Sequence, residues 1–178
     1  MSARGTLFER LEALGIETTT VPYPAHRTVE EGKAWRGAMS GQFTKNLLLK
    51  DKKGSLFMIV ADEDRQIDLR RLHVHIGGQG RLGFAAAETM RELLQVEPGA
   101  LTPFSLSNDT ERRVRPVIDA SLMRAVQLNF HPLVNTESTG IAPQALLDFI
   151  ASCGHAPLIA DFDAMALADA EAATVASD

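Results

Sequence analysis

Two adjacent polar residues, Lys45 and Asn46, open an apolar segment, Leu47–Leu49, that is typical of a β-strand. Because side chains alternate across a strand, one of the two should point towards the interior. A lysine is rarely buried without a function, so the pair is a candidate for a functional site. A lysine at a strand edge, with its amine in water, gives the same pattern, and residue types alone favour that simpler interpretation.

A second candidate is the segment Gly99–Pro103, which first indicates an ordinary turn. The functional alternative is a loop whose glycine lets main-chain N–H groups approach a bound acyl group or an oxyanion. A β-carbon at Gly99 could block that close approach. The segment is therefore kept as a candidate binding loop.

The other reactive residue types match no established catalytic or metal-binding motif. The glycine-rich segment Gly77–Gly83 lacks the Gly-Lys-Ser/Thr ending of a P-loop, so it indicates flexibility, with a phosphate contact from Arg81 as the alternative. His73 and His75 would share one face of a strand, but two imidazoles without a third ligand make a poor metal site. HExxH, CxxC and GxSxG motifs are absent, and Cys153 is typical of a structural thiol. We expect neither a metal nor another cofactor.

The elements that would position these residues are helices interspersed with a hairpin and several strands. The hairpin joins the segments 46–50 and 55–60, and Thr28 could cap a further helix. Pro116 should confine its strand, 114–118, to a sheet edge or a bulge. The other predicted strands are 18–21, 126–130 and 155–159, and the predicted helices are 6–14, 68–72, 85–94 and 143–152. This order predicts an α+β fold with a mixed or antiparallel sheet.

Length and charge set broad limits. The 178 residues suit one domain, and no apolar run approaches the roughly 18 residues that span a bilayer. No signal peptide is recognisable and one cysteine allows no intrachain disulfide, which favours a cytoplasmic location. A net charge of −5 argues mildly against a nucleic-acid partner. Five of the 23 acidic residues lie in 161–178, however, so residues 1–160 are formally neutral.

Six short segments become informative as an ordered set. They are Pro24-Ala25-His26 with Thr28-Val29-Glu30-Glu31, Thr44-Lys45-Asn46-Leu47-Leu48-Leu49, Arg81-Leu82-Gly83-Phe84-Ala85, Gly99 to Pro103, Val117-Ile118-Asp119 and His131-Pro132. In order and spacing, over roughly residues 5–160, they resemble the YbaK family and the editing insertion domain of bacterial prolyl-tRNA synthetase. The resemblance implies an α+β fold with a mixed, barrel-like sheet surrounded by helices. We expect an editing domain at 1–160 and an acidic, alanine-rich tail at 161–178, either a frayed helix or disordered.

Within that family the chain is most similar to the free-standing ProXp-ala (PrdX) deacylases, through Lys45 with Asn46, the turn 51–53 and the stretch 147–157. This resemblance implies hydrolysis of alanine mischarged onto proline tRNA, without a metal and with help from the substrate's 2′-hydroxyl. Lys45 would place its ammonium near the scissile ester or the terminal phosphate, and Asn46 would hydrogen-bond the substrate.

The resemblance also implies where the substrate binds. The aminoacyl end would bind the main chain of Gly99, Ala100, Leu101, Thr102 and Pro103. Pocket-wall residues would be His131, His26 and Thr28, and tRNA contacts would come from Arg81 and Lys50. Prolyl-tRNA synthetase or an elongation factor would be a transient partner. We expect no membrane and, without a helix-turn-helix or basic helix, no duplex DNA.

Two alternatives stay open. One is a deacylase of the same fold for another mischarged tRNA, carrying cysteine on proline tRNA, or serine or threonine on other tRNAs. The other is a non-catalytic module that binds tRNA without turnover, although Lys45 and Gly99 count against it.

Overall fold

The computed structural model describes residues 2–24, 28, 30–31, 36 and 39–177. In this part of the chain eight strands form one mixed sheet. The strands are β1 Thr19–Pro22, β2 Gln42–Lys50, β3 Leu56–Asp62, β4 Gly83–Phe84, β5 Val114–Asp119, β6 Leu128–Phe130, β7 Glu137–Ile141 and β8 Leu158–Ala160. The helices are α1 Ala3–Ala13, α2 Leu72–Ile76, α3 Ala87–Thr89, α4 Pro143–Ser152 and α5 Phe162–Val175. The predicted mixed α+β fold is confirmed.

Three shorter helical segments complete the described elements. The helix α3 continues as a π-helix, Met90–Leu94, and 3₁₀ helices span Pro103–Asn108 and Ala120–Arg124. The strand order is β1-β7-β6-β2-β3-β5-β8, with β4 paired to β2 outside this path. The parallel pairs are β2 with β6, β3 with β5, and β5 with β8, whereas the predicted hairpin β2–β3 is antiparallel.

Each face of the central hairpin is covered by its own hydrophobic cluster, because successive side chains point to opposite faces. Leu48, Met58 and Val60 pack into the larger cluster, with α1, the 3₁₀ helix Pro103–Asn108 and α4. Leu49 and Ile59 pack on the other face, with α2 and the start of α5. The sheet is thus buried on both sides, which explains the almost continuous apolar sequence of β3.

The two edges of β2 are paired to different extents, and the less paired edge positions the candidate site. One edge pairs with β3 from Thr44 to Lys50. The opposite edge pairs only at its ends, with β6 at Gln42–Phe43 and with β4 at Leu49–Lys50. Between these pairings the Asn46 side chain contacts the loop that contains Leu101.

Three predictions of elements were wrong in position or incomplete. The short helix lies at α2, 72–76, and not at 68–72, because the Asp68 carboxylate accepts the Arg70 N–H at 3.0 Å and forms a local turn first. The strand β7 was missed, since Glu137–Ile141 is polar in sequence although residues 138–141 are buried. Its Thr139 is satisfied by a hydroxyl hydrogen bond to Thr20 at 2.8 Å.

The prediction that Pro116 confines its strand to a sheet edge or a bulge was wrong, because β5 is an interior strand with a continuous register to β3. β5 lies between β3 and β8, and its Pro116 pairs with Met58 of β3. Pairing with β8 begins only at Val117, so the proline stands just before that ladder starts. The strand therefore tolerates a residue without an N–H group.

The acidic segment after residue 160 contains an ordered helix in this structure, α5. Phe162 is buried in the second hydrophobic cluster. Asp163 accepts a hydrogen bond from Arg65 at 2.5 Å, and Asp169 contacts His75 at 2.9 Å and Arg71 at 3.0 Å. The helix therefore packs against the β3–α2 region through an aromatic anchor and ion pairs.

Candidate functional site

A small cavity opens beside the partly paired edge of β2. Its volume is about 60 Å³, enough for more than one water molecule. The described residues that line it come mainly from β2, β6 and β7; they are Tyr23, Arg36, Phe43, Thr44, Asn46, Asn129, Phe130, His131 and Ser138. A cavity of this size with several convergent polar groups suits a small polar ligand group.

Asn46 connects this cavity to the Gly99–Pro103 loop. Its side-chain Nδ2 donates to the main-chain carbonyl of Leu101 at 3.0 Å. A carbonyl can only accept, so this bond fixes which end of the amide is the nitrogen. Among the described residues no donor reaches the buried Oδ1 of Asn46. A buried acceptor without a donor costs about 1–3 kcal/mol, which a ligand N–H or O–H group would offset.

The Gly99–Pro103 loop is held mainly from inside the protein. Ala100, Leu101, Thr102 and Pro103 are buried, whereas Gly99 is exposed. The Thr102 hydroxyl accepts the Phe104 N–H at 3.3 Å and caps the following 3₁₀ helix. These contacts fix the loop while its glycine faces outwards.

A β-carbon added at Gly99 would have no protein atom within 4 Å, so it would project into open space. The expectation that it could block the approach of a bound group to the main chain stays a prediction. The φ of +96° lies where side-chain-bearing residues are strained, so the backbone conformation also requires glycine here.

A paired guanidinium forms another wall of the cavity. Arg36 makes a bidentate ion pair with Glu63, with Nη1 2.5 Å from Oε1, and lies 3.7 Å over the Phe43 ring. Burial disfavours the charged form of Arg36, but hydrogen bonds with Glu63 and Tyr23 outweigh it and raise the pKa of the guanidinium. The charge is thus permanent and already paired with Glu63.

His131 is one of the residues that line the cavity, and its role in a substrate pocket stays a prediction. Its Nδ1 is 2.7 Å from the Glu137 carbonyl oxygen, so Nδ1 carries the proton and donates it. The ring centroid lies 6.1 Å from that of Tyr23. This arrangement orients the imidazole and makes Nε2 of the neutral ring an acceptor.

Thr28 and His26 stand apart from this geometry. The Thr28 hydroxyl accepts the Glu31 N–H at 3.1 Å, which confirms the predicted cap. Thr28 is exposed and is not among the described residues lining the cavity. His26 lies outside the described residues, so its pocket-wall role stays a prediction.

Lys45 projects from the face of β2 opposite to Asn46. It lies across from Ala61, whose face carries the second hydrophobic cluster, whereas Asn46 lies across from Val60 in the first. The Lys45 ammonium donates to the main-chain carbonyl of Arg65. The two predicted catalytic residues are therefore adjacent in sequence but separated by the sheet, and only Asn46 lines the cavity.

Arg65, whose main-chain carbonyl accepts the Lys45 hydrogen bond, is held by ion pairs of its own side chain. Its guanidinium bonds Asp119 at 2.9 Å and Asp163 at 2.5 Å. Burial works to raise the pKa of the Asp119 carboxyl, but the Arg65 and Ser121 hydrogen bonds prevail and lower it. Lys45 thus rests on a main-chain oxygen that is fixed by an ion-pair network.

Lys50 and Arg81, the predicted tRNA contacts, are exposed near one end of the β2–β3 hairpin. The buried Asp51 carboxylate joins the two segments, since it accepts the N–H groups of Gln79 at 2.8 Å and of Ser55 at 2.9 Å. The Gln79 bond is the main cause that lowers the pKa of Asp51, against the effect of burial. We call the four cations of this region the hairpin-end basic cluster: Lys50, Lys52, Lys53 and Arg81.

The two histidines considered as a metal pair are in a helix and not on a strand. His75 contacts Asp169 and belongs to the anchoring of α5. In the part of the chain that the structure describes, no three His, Cys, Asp or Glu side chains gather as a metal-binding group. Cys153 is partly buried, and the pKa of its thiol is raised, mainly because burial removes water from the thiolate form.

Several cavity residues escaped the sequence analysis. Asn129 could have been noticed, because it is the polar residue within the apolar stretch 128–130. Its Nδ2 donates to the Ser40 carbonyl at 2.9 Å. Tyr23, Arg36 and Ser138 offer no comparable signal, since only the pairing of β6 with β7 and the approach of distant segments bring them together.

Comparisons with known proteins show which family and fold the chain resembles. A family model described as the aminoacyl-tRNA editing domain matches residues 23–149. The zebrafish (Danio rerio) prolyl-tRNA synthetase associated domain-containing protein 1 is 38% identical over 162 residues, 90% of this chain and 88% of the relative. The prolyl-tRNA editing protein ProX of Acetoanaerobium sticklandii is 29% identical over 156 residues, covering 87% and 94%.

Solved structures share the fold. A crystal structure described as a candidate trans-editing enzyme for prolyl tRNA synthetase superposes with a TM-score of 0.65 at 23% identity, covering 90% of this chain and 96% of that one. Within the described residues, no helix is long and apolar enough to span a membrane. The site described above thus lies in a fold and a sequence family with known members.

Proposed function

Because the chain belongs to the aminoacyl-tRNA editing domain family, we propose that it hydrolyses the ester of alanine mischarged onto proline tRNA. Family membership makes the chain an aminoacyl-tRNA deacylase with tRNA as its substrate. The observation that supports the finer proposal is the small cavity in which Asn46 keeps a buried, unpartnered acceptor beside a fixed loop.

The size of the cavity supports alanine as the amino acid. A synthetase site built for proline cannot exclude the smaller alanine by steric means, so a second site must accept alanine and reject proline. A small cavity of about 60 Å³ favours a side chain as small as the methyl group of alanine. It would therefore act as the second sieve, after the synthetase site.

Asn46 would recognise the α-ammonium group that every aminoacyl ester carries. Its Nδ2 is used by Leu101, which leaves Oδ1 as the acceptor for a substrate N–H. A hydrogen bond from a charged donor is worth roughly 1.5–3 kcal/mol. Proline carries a secondary ammonium within a ring, so the same contact would fit it less well.

The hydrolysis needs a positioned water molecule and stabilisation of the oxyanion. Water oxygen adds to the ester carbonyl carbon, the bond to the ribose oxygen breaks, and the water proton ends on that leaving oxygen. Alanine and free tRNA are released. The substrate's 2′-hydroxyl orients the water, and the main chain of the Gly99–Pro103 loop lies beside the carbonyl.

Lys45 would act from the edge of β2. We propose that its long side chain leaves the Arg65 carbonyl when substrate arrives and reaches around the partly paired edge towards the ester or the terminal phosphate. A flexible four-carbon stem permits this movement. Without substrate, the Lys45 ammonium donates a hydrogen bond to the Arg65 carbonyl, so its polar group has a partner until the substrate binds.

The tRNA body would meet the hairpin-end basic cluster, to which Lys50 and Arg81 belong. With residues 1–160 formally neutral, tRNA affinity would be weak and would fall with salt. Transient association with prolyl-tRNA synthetase or an elongation factor would bring mischarged tRNA to such a weak binder.

The experiment is deacylation of Ala-tRNA(Pro) whose terminal adenosine carries either a 2′-hydroxyl or a 2′-hydrogen. The proposal predicts rapid loss of alanine from the first substrate and a rate lower by at least about two orders of magnitude on the second. Equal rates would remove the 2′-hydroxyl from the mechanism. Tight binding without turnover would instead favour the non-catalytic alternative.

A further inference from the structure

Phe84 stands out among the apolar side chains of the surface. It belongs to the two-residue strand β4, and 67% of its side chain is exposed. Exposed single apolar residues are common. Phe84, however, lies among cations, because its neighbour Gly83 pairs with Lys50 and Arg81 precedes it by three residues.

The position of Phe84 relates it to Lys45, whereas Asn46 lies on the opposite face of β2. β4 pairs with the same edge of β2 along which the cavity opens. Phe84 lies opposite Leu49, so it shares a face with Lys45, four residues earlier in β2. At about 3.4 Å per residue, that separation is roughly 14 Å.

That distance fits a single-stranded nucleic acid better than a duplex. Stacked nucleotides rise about 3.4 Å each along a strand, so roughly four of them cover the distance. The acceptor end of tRNA is single-stranded over its last nucleotides. Lys45 is proposed to reach the ester around this edge of β2, so an acyl group held at the edge would bring an unpaired base near Phe84.

An exposed aromatic ring beside cations is the arrangement that binds single-stranded nucleic acid. The ring stacks on a base while the cations contact phosphates. Lys50 and Arg81 supply the charges here, and the carboxylate of the buried Asp51 beside them is already hydrogen-bonded to main-chain N–H groups. The cations and the exposed ring thus match the phosphates and the bases of a single-stranded RNA.

We propose that Phe84 is a tRNA-binding residue, which stacks on an unpaired base of the 3′ end and sets the reach between the basic cluster and the acyl site. This inference rests on the proposed function. It adds a contact that depends on stacking, whereas the contacts of Lys50 and Arg81 depend on charge.

The test compares Phe84→Ala, Phe84→Tyr and a matched control, Leu167→Ala, whose side chain is also 67% exposed but lies on α5. For Ala-tRNA(Pro), Phe84→Ala should raise KM about tenfold, the loss expected for one stacked base. Its kcat should change less than about twofold. Phe84→Tyr and Leu167→Ala should leave both constants unchanged, and all variants should unfold at the wild-type temperature.

A second substrate separates stacking from a structural effect. Alanine esterified to adenosine alone has no further base to reach Phe84, so Phe84→Ala should hydrolyse it at the wild-type rate. An equal loss on both substrates, or an unchanged KM on tRNA, would overturn the proposal. If the wild-type protein hydrolyses neither ester, the proposed function fails. Binding of uncharged proline tRNA to Phe84→Ala and wild type then still decides the role of Phe84.

Discussion

The side-chain amide of Asn46 donates to the carbonyl of Leu101 at 3.0 Å, and this bond joins the two segments that were identified independently from the sequence as candidates for a functional site. It holds the Gly99–Pro103 loop against the unpaired part of β2. It also turns Oδ1 into a buried acceptor without a donor among the described residues. One contact therefore fixes the loop and leaves a specific position for a substrate N–H group.

Replacing Asn46 by alanine should lower kcat/KM for Ala-tRNA(Pro) by roughly 10- to 100-fold, because a hydrogen bond to a charged group is lost. The matched control is Asn108→Ala, since Asn108 likewise donates to a loop carbonyl, that of Leu94, at 2.8 Å. Asn108→Ala should lose about 1–3 kcal/mol of unfolding free energy in urea titrations, and Asn46→Ala should lose less, because it also removes the unpartnered Oδ1. A comparable loss of activity in Asn108→Ala would show that Asn46 acts only through stability.

Gly99→Ala should impair activity because a φ of +96° strains alanine and shifts the loop. Gly15 provides the control, with a φ of +69° and equally free space around an added β-carbon. Each substitution should cost about 1 kcal/mol of stability, measured by thermal unfolding. Deacylation should fall only in Gly99→Ala, and full activity there would exclude the loop from the site.

The charges of Lys50 and Arg81 should appear in the salt dependence of tRNA binding. Each alanine substitution should reduce the slope of log affinity against log salt by about one. Arg70→Ala is the control, since Arg70 is exposed and paired locally with Asp68. Fluorescence titration of tRNA at several salt concentrations measures the slope. An unchanged slope in Lys50→Ala and Arg81→Ala would place the tRNA elsewhere.

Asp51 should make the hairpin end sensitive to acid. Its pKa lies below the ordinary value of 3.8, chiefly because of the Gln79 N–H, so the ionised form stabilises the folded chain above about pH 4. That stabilisation is lost as the pH falls through the folded-state pKa. The difference in melting temperature between wild type and Asp51→Asn should therefore shrink from about pH 6 to about pH 3. A constant difference would contradict the assignment.

Much of the architecture follows from local pattern. The hairpin β2–β3 and the helix Pro143–Ser152 have strong apolar periodicity and clear end signals, and the structure places them as predicted. The strand β7 was missed, because its polar residues are buried only through pairing with β1 and β6. The periodicity of a local sequence segment does not predict pairing between strands that are distant in sequence.

The candidate site was predictable only in part, because some of its residues are brought together by contacts distant in sequence. Asn46 and the Gly99–Pro103 loop were identified and lie in contact. The separation of Lys45 from Asn46 follows from strand alternation, once Asn46 is known to face the cavity. Arg36, Glu63 and Tyr23 could not be assigned, because each gains its meaning from a partner distant in sequence.

Deacylation of proline tRNA charged separately with alanine, cysteine and proline tests the central claim most directly, with wild type and Lys45→Ala side by side. We predict rapid loss of alanine, little loss of cysteine or proline, and a rate on alanine that Lys45→Ala reduces at least about 100-fold while its melting temperature is kept. Hydrolysis of the proline ester at a similar rate, or a fully active Lys45→Ala, would contradict it.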